Sequence, residues 1–390
     1  DLFIEKDNDT ECIARSVDNF PGNFFTLQDT KDGAVFIHIL LGIYLFGALA
    51  IVCDDYFVAS LEVICEEMNL KEDVAGATFM AAGSSAPEFF TSIIGVFISK
   101  SDVGVGTIVG SAVFNILFII GVCGIFAGMV SISSMFLWCK IPRNNQTKNF
   151  LVQIVGLKFN ELHLETVLLY RKPVVILMNS KEYESPWEIP PTFVGRLYWV
   201  TMLPVKALLY VSIPDCRLPG NWRKLYPLTF VMSVVWIAGF TYVMVWMLTI
   251  AGDALEIPDT VMGLTILAAG TSVPDCLSSL FVARDGLGDM AVSNSIGSNV
   301  FDILICLGLP WLIDTVDGGV VKISSEGLTY SSITLLSTVV FLLVAMILTK
   351  WTLSKPFGIA CLVAYVIVTA FSVLYELNIF GDFVADVCPR

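Results

Sequence analysis

Long uncharged apolar runs separated by short polar segments dominate the chain. A helix needs about 20 mostly apolar residues to cross a bilayer, and residues 34–53 supply the first such run. Residues 74–98 form a second, whose middle is polar and small. Residues 103–139 contain no charged side chain and are long enough for one span and part of another. Runs at 228–250, 328–348 and 357–374 read as clear spans. The run at 261–283 again has a polar, small middle, and the run at 290–313 is broken by Asp302. A shorter run, 197–213, carries Pro204 and Lys206 and reads as an interfacial helix. The pattern predicts an all-α polytopic membrane protein. Composition agrees: 56% of residues are hydrophobic and only 15% charged, against about 25% charged in soluble domains. Most of the surface is expected to face lipid.

The net charge of −14 leaves no basic patch for phosphates, which disfavours a nucleic-acid partner. It also disfavours docking on an anionic membrane through a polybasic segment. It is compatible with cations as substrates. Ten cysteines do not make a disulfide framework, because most sit in apolar runs, where a free thiol behaves as a small hydrophobe. Cys12 and Cys388 lie instead in polar terminal segments. The chain begins at Asp1 rather than Met, as after removal of a signal peptide or in a shortened chain. Asn8-Asp9-Thr10 is a glycosylation sequon that, if used, places the N-terminus outside or in a lumen. Lys350 and Lys355 make the loop between the last two spans cytoplasmic by the positive-inside rule, and the acidic loop at Asp314 and Asp317 external. Both termini then lie outside, where Cys12 and Cys388 either pair or stay as thiols. The acidic loop at 66–73 runs against the rule. His38 and His163 lack metal-ligand spacing and read as structural. The chain shows no phosphate loop, metal-histidine pair or nucleophile elbow, so no enzyme is expected.

Internal repetition changes the picture most. A shift of 187 residues lays 76–121 on 263–308 without a gap, and 17 of the 46 pairs are identical. GATFMAAGSSAPEFFTS faces GLTILAAGTSVPDCLSS, and GSAVFNIL faces GSNVFDIL. Shared apolar composition would match some Leu, Val and Ala; it would not bring Gly76/Gly263, Thr78/Thr265, Gly83/Gly270, Ser85/Ser272 and Pro87/Pro274 into register. An odd number of spans between the repeats makes them inverted, a design that places substrate at the membrane midplane on helices interrupted by Gly or Pro. Both repeats carry such an interruption, and each proline frees a carbonyl four residues back, near Gly83 and Gly270.

Glu88 and Asp275 occupy equivalent positions near the middle of apolar runs. An ionisable group at that depth is a functional candidate by default, and two in an inverted repeat converge on one point. Ser84, Ser85, Thr271 and Ser272 add hydroxyls. Carboxylate, hydroxyl and carbonyl oxygens form a hard ligand set that suits calcium or sodium, not zinc or copper. A protonated carboxyl tied to a backbone group is the structural alternative. Asn115 pairs with Asp302, a third acid that breaks the symmetry. The three acids sum to −3, which a divalent plus a monovalent cation, or three monovalent cations, would neutralise. Asp54 and Asp55 end the first span and read as interfacial, with a gating role as the alternative.

On AAGSSAPE, LAAGTSVPD and VARDGLGDMAVSNSIGSNVFDIL the repeats resemble the alpha repeats of the cation/calcium exchanger superfamily, and most closely the potassium-dependent sodium/calcium exchangers. The resemblance covers 34–124 and 227–377. It implies an inverted-repeat transporter fold of nominally ten spans. It also implies extrusion of calcium with potassium, driven by sodium entry through alternating access. No cofactor is implied; calcium, potassium and sodium are the transported ions. By the same resemblance, Glu88 and Asp275 bind calcium and sodium, and Asp302 confers potassium dependence. Ser85, Ser272 and Thr271 correspond to hydroxyl ligands and Asn115 to the paired amide. The spans at 34–53 and 228–250 become long gate helices. The expected organisation is an external or lumenal segment 1–33, a first membrane half 34–130, and a region 131–226 of degraded spans and a short cytoplasmic loop. A second membrane half 227–377 and an external or lumenal tail 378–390 follow. The departure from the family lies at 131–190, where charged residues interrupt the fourth and fifth spans; losing a pair of spans keeps the parity. Alternative readings are a potassium-independent sodium/calcium or proton/calcium exchanger, a cation channel, and a member inactivated by the degraded region. The plasma membrane is the favoured location, an organelle membrane of Golgi or pigment-organelle type the alternative.

Overall fold

The computed structural model describes residues 4–7, 10–13, 15–68, 81–126, 130–131, 187–218, 220–284, 286, 288–316, 318 and 325–379. The sequon asparagine Asn8, the side chains of Cys12 and Cys388, Gly76 and Thr78 of the first repeat, His163, and the degraded spans within 132–186 lie outside the described residues.

Helix α1 (Leu27–Glu67) spans 41 residues with a kink at Gly33 (φ 147°) in its first turns; the stretch beyond the kink is about 50 Å long at 1.5 Å per residue, well over the thickness of a bilayer's hydrocarbon core. Thr26 and Asp29 start it with a reciprocal capping box. Asp54 and Asp55 do not end this helix, as the charge pattern suggested. They lie inside it on a widened turn, Cys53–Phe57. The helix tolerates the charge because Asp55 has a partner. Arg217 Nη1 donates to Asp55 Oδ1 at 3.1 Å, Arg217 Nη2 to Asp215 Oδ2 at 2.8 Å, and the guanidinium lies over the Tyr56 ring. Burial works against the Arg217 charge, but the hydrogen bonds and charges of Asp215 and Asp55 outweigh it and hold its pKa above the usual value.

The rest of the chain takes its direction from α1. Helices α2 (Ala81–Ser84) and α3 (Ala86–Ser99) follow it, then α4 (Val103–Phe126). Helix α5 (Phe193–Ser212) and α6 (Tyr226–Ala254) come next. Helix α6 lies antiparallel along α1. Lys31 Nζ pairs with Glu256 at 2.7 Å, Leu248 packs on Gly42, the Phe57 and Phe230 rings stack at 5.4 Å, and Arg223 pairs with Glu66. The matched pairs run in opposite directions along the two helices. The first repeat therefore begins at one end of the pair, after α1, and the second at the other, after α6. The two repeats enter from opposite ends, so they are inverted.

Helices α7 (Asp259–Thr271) and α8 (Val273–Arg284) form one span bent by 46° at Ser272. Helix α9 starts at Gly288–Phe301 and continues through Asp302–Leu307 and Gly308–Val316. Asp302 does not break it; the backbone absorbs it in a widened turn. Helices α10 (Ser325–Leu348) and α11 (Lys355–Glu376) complete the bundle. Two short antiparallel strand pairs join Ile4–Asp7 to Thr10–Ile13 and Val130–Ser131 to Thr352–Leu353. Among the described residues, six helices are long and apolar enough to cross a bilayer, and the bent α7–α8 pair makes a seventh; α3 is shorter. The protein is an integral, multi-pass membrane protein.

The core follows from the same order. Leu45, Leu49, Val52 and Tyr56 of α1 interdigitate with Ile237, Met244, Val245 and Leu248 of α6. Met202, Val205 and Leu209 of α5 enter the same cluster, so this helix buries one face despite Pro204. Helices α10 and α11 pack Leu342, Met346, Phe357 and Cys361 against Val113, Ile116 and Leu117 of α4. Their other faces expose Ile333, Leu336, Val340, Val344 and Ile347, and Val363, Val366 and Ile367, as surfaces toward lipid do. His38 is structural, as expected: it is buried and its Nδ1 donates to the Ala34 carbonyl at 2.8 Å.

Helix α4 crosses α7 through small residues four apart, Gly106 and Gly110, which lets the backbones approach. A Cβ on Gly110 would lie 2.6 Å from the Leu264 carbonyl oxygen and 2.7 Å from the Ala268 Cβ. Gly110→Ala should therefore destabilise the purified full-length chain by about 1–3 kcal/mol. Gly239→Ala, on an exposed face of α6 with nothing within 4 Å, should leave it unchanged or stabilise it by up to about 1 kcal/mol. Thermal unfolding in detergent measures both.

Candidate functional site

Each repeat breaks its helix in the same way. Ser85 (φ −90°, ψ 10°) separates α2 from α3, and Ser272 (φ −83°, ψ 9°) separates α7 from α8. Both lie near the bridge region of backbone space. A proline follows two residues later, where its missing N–H costs nothing in the first turn of the next helix. The Phe89 N–H closes on the Ser85 carbonyl at 3.1 Å and the Cys276 N–H on the Ser272 carbonyl at 3.0 Å. Glu88 and Asp275 thus sit in the first turns of α3 and α8, at the positive ends of the helix dipoles.

The second helix of each repeat supplies the other half of the site. Asn115 lies on the widened turn Phe114–Ile119 within α4, and Asp302 on the matching turn Asp302–Leu307 within α9. Such turns are rare in helices and gather at functional sites. Glu88, Asp275, Asp302, Asn115, Ser85 and Ser272 are all 0% exposed. The charges of Asp275 and Asp302 act on Glu88, and that of Asp275 on Asp302. The ion pairs of the described residues involve none of the three acids.

The contacts cross between repeats. Ser272 Oγ donates to Glu88 Oε1 at 3.2 Å. Asn115 Nδ2 lies 3.3 Å from Asp275 Oδ2, 3.2 Å from Ser298 Oγ and 2.9 Å from Asn299 Oδ1. Thr271 lies beside Glu88 while donating to its own Leu267 carbonyl at 3.0 Å. Ser84 lies beside Asp275. Ser85 lies beside Asp302 without meeting hydrogen-bond geometry. All eight residues expected from the sequence therefore gather around the two breaks. Five of their buried oxygens have no hydrogen-bond partner: Glu88 Oε2, Asp275 Oδ1, Asp302 Oδ2, Asn115 Oδ1 and Ser85 Oγ. Buried polar atoms are otherwise almost always satisfied, and most of these can only accept or coordinate. Among the described residues, no three of His, Cys, Asp and Glu converge closely enough to hold a metal ion by themselves. Amide, hydroxyl and backbone oxygens would complete the shell of any bound cation, as suits a hard ion.

Sequence reasoning missed Ser298 and Asn299, which receive Asn115, and Cys306, whose Sγ lies 3.6 Å from Asp302 Oδ1. Residues 295, 298, 299, 302 and 306 share one helical face, a signal that was available. Asn299 escaped because its partner in the first repeat is Ala112, so the comparison of repeats passed over it. Its Nδ2 nonetheless reaches back to the Ala112 carbonyl at 3.4 Å.

A family model described as "Sodium/calcium exchanger protein" matches residues 38–167 and 225–374. The chain is 39% identical to the human protein named sodium/potassium/calcium exchanger 5, over 96% of this chain and 90% of that protein. It is 36% identical to human sodium/potassium/calcium exchanger 3, over 96% and 86% respectively.

Asn299→Ala removes the shortest acceptor of the Asn115 amide and frees that amide to turn. A lost hydrogen bond of about 1 kcal/mol corresponds to about a fivefold change in affinity. The variant should need about five times more calcium for the same thermal stabilisation in detergent; an unchanged titration would remove Asn299 from the site.

Proposed function

The chain belongs to the sodium/calcium exchanger protein family, and we propose that it is a secondary antiporter that exchanges sodium for calcium together with potassium by alternating access. The observation that carries this reading is the fully buried trio Glu88, Asp275 and Asp302, each acid holding an unpartnered oxygen. The human relatives carry sodium, potassium and calcium in their names, which supports potassium as the third ion.

Charge supplies the mechanism. An ionised carboxylate away from water costs several kcal/mol unless its charge is met. Calcium plus potassium brings +3 to the three acids, and several sodium ions bring the same. Glu88 and Asp275, one from each repeat, serve as the central ligands for calcium and sodium. Ser84, Ser85, Thr271 and Ser272 contribute hydroxyls, Asn115 contributes its amide oxygen, and Asp302 serves the potassium ion. An empty site keeps its buried negative charge, which opposes passage between inward- and outward-facing states. The loaded site passes, so ions move only in exchange. Helices α1 and α6 are the moving pair. They pack on each other along their length, and α1 covers both breaks: a Cβ on Gly83 would meet Val58, and one on Gly270 would run into the Phe46 ring.

Arg217 and Arg223 pair with Asp55 and Glu66 toward the end of α1, Arg284 lies over Phe126 at the end of α4, and Lys350 and Lys355 flank the strand that pairs with Val130–Ser131 just beyond α4. By the positive-inside rule this end is cytoplasmic, and both termini are external. The plasma membrane is the location in this reading. The reading takes the chain as five parts divided at residues 33, 130, 226 and 377: two membrane halves, each carrying one repeat, joined by the 131–226 segment, with an external segment at each end.

Calcium uptake into cells or vesicles driven by an outward sodium gradient, with and without potassium, tests the proposal. Uptake should need both ions, and Glu88→Gln should reduce it at least about a hundredfold, since a neutral amide forfeits two or more factors of ten in ion affinity (about 3 kcal/mol). Asp302→Asn should leave sodium-driven calcium uptake that no longer responds to potassium. Wild-type uptake indifferent to potassium would remove the role given to Asp302; no uptake despite surface expression would remove the antiporter.

A further inference from the structure

The two repeats differ at two linked positions. Asn115 in the first becomes Asp302 in the second, and Ile119, four residues on, becomes Cys306. Residues four apart on a helix face one another. Where the repeat carries a neutral amide, an apolar side chain stands beside it. Where it carries a charge, a thiol does. The Cys306 side chain is 0% exposed, its Sγ lies 3.6 Å from Asp302 Oδ1, and it also lies 3.7 Å from the Ser85 carbonyl oxygen. A thiol has one hydrogen to donate, and both neighbours are acceptors. Packing alone does not require sulfur here, since Ile119 fills the same place in the first repeat, buried at 0% exposure. Asp302 Oδ2 and Ser85 Oγ, on either side of this contact, have no partner.

We propose that Cys306 is a positioning residue for the third carboxylate: its thiol holds Asp302 Oδ1 against the Ser85 break, leaves Oδ2 to the monovalent cation, and so sets the affinity for potassium. This rests on the exchange reading above. The choice of sulfur has a physical reason. A thiol is a weak donor, so it orients the carboxylate while leaving most of its charge to the ion. A Lys or Arg at the same place would neutralise the carboxylate. The contact also ties α9 of the second repeat to the break of the first, so the potassium ligand moves with that break.

Three variants separate the donor from the volume. Cys306→Ser keeps a donor. Cys306→Val keeps the bulk and removes the donor. Cys306→Ala removes both. In sodium-driven calcium uptake, Cys306→Val and Cys306→Ala should raise the potassium concentration for half-maximal transport about fivefold, the size expected for a hydrogen bond to a charged group made by a weak donor. Calcium half-saturation at saturating potassium should change less than about twofold, the distinction a packing defect would not make. Cys306→Ser should stay within about twofold of wild type in both. Val and Ser shifting together, or Val leaving potassium half-saturation unchanged, would overturn the proposal. Potassium-induced thermal stabilisation of the purified full-length chain gives the same comparison without transport. If the wild type moved no calcium, the antiporter reading would fall, yet this titration would still decide the role of Cys306. A wild type that potassium does not stabilise at all would overturn it.

Discussion

Buried negative charge without an internal counter-charge is the constraint on which this structure depends. Glu88, Asp275 and Asp302 are shielded from water, and the ion pairs formed by the described residues lie elsewhere. A globular protein would meet such charges with Arg or Lys, and this chain does so at Asp55 with Arg217. The three central acids receive weak neutral donors instead: a serine hydroxyl, an amide and a thiol. Neutral donors orient carboxylates without cancelling them. The charge that remains is available to an ion that can come and go.

The fold makes that arrangement symmetric. Antiparallel packing of α1 and α6 starts the two repeats at opposite ends of the bundle, and each delivers a broken helix and a widened turn to one place. The breaks at Ser85 and Ser272 point two helix N-termini inward, and their dipoles favour the acids that follow. The close crossing of α4 on α7 at Gly106 and Gly110 holds the second helix of the first repeat against the first helix of the second. The Ser272 hydroxyl and the Asn115 amide therefore reach across repeats, while the Cys306 thiol meets Asp302 within its own. A motion that shifts one repeat against the other changes the ligand shell of both acids together.

Glu88 and Asp275 were legible in the chain because three signals coincide there: a charge in an apolar run, a proline immediately before it, and the same pattern 187 residues on. The inverted repeat was legible from span parity. What was not legible depended on pairing in space. Asp54 and Asp55 read as the end of a span, because a sequence does not show that Arg217, far along the chain, meets the charge. Asp302 read as a break in its helix, although the backbone absorbs it in a widened turn. Asn299 was hidden by Ala112, its partner in the first repeat. Cys306 read as a small hydrophobe in an apolar run, and only its distance from Asp302 shows a polar contact.

The most direct test of the central claim is calcium efflux from proteoliposomes of the purified full-length chain, loaded with calcium and potassium and diluted into choline or sodium medium. If unmet buried charge enforces exchange, sodium will release calcium, and choline will release no more than protein-free liposomes do. Equal, rapid efflux into both media would show that the empty site crosses freely and would contradict the account.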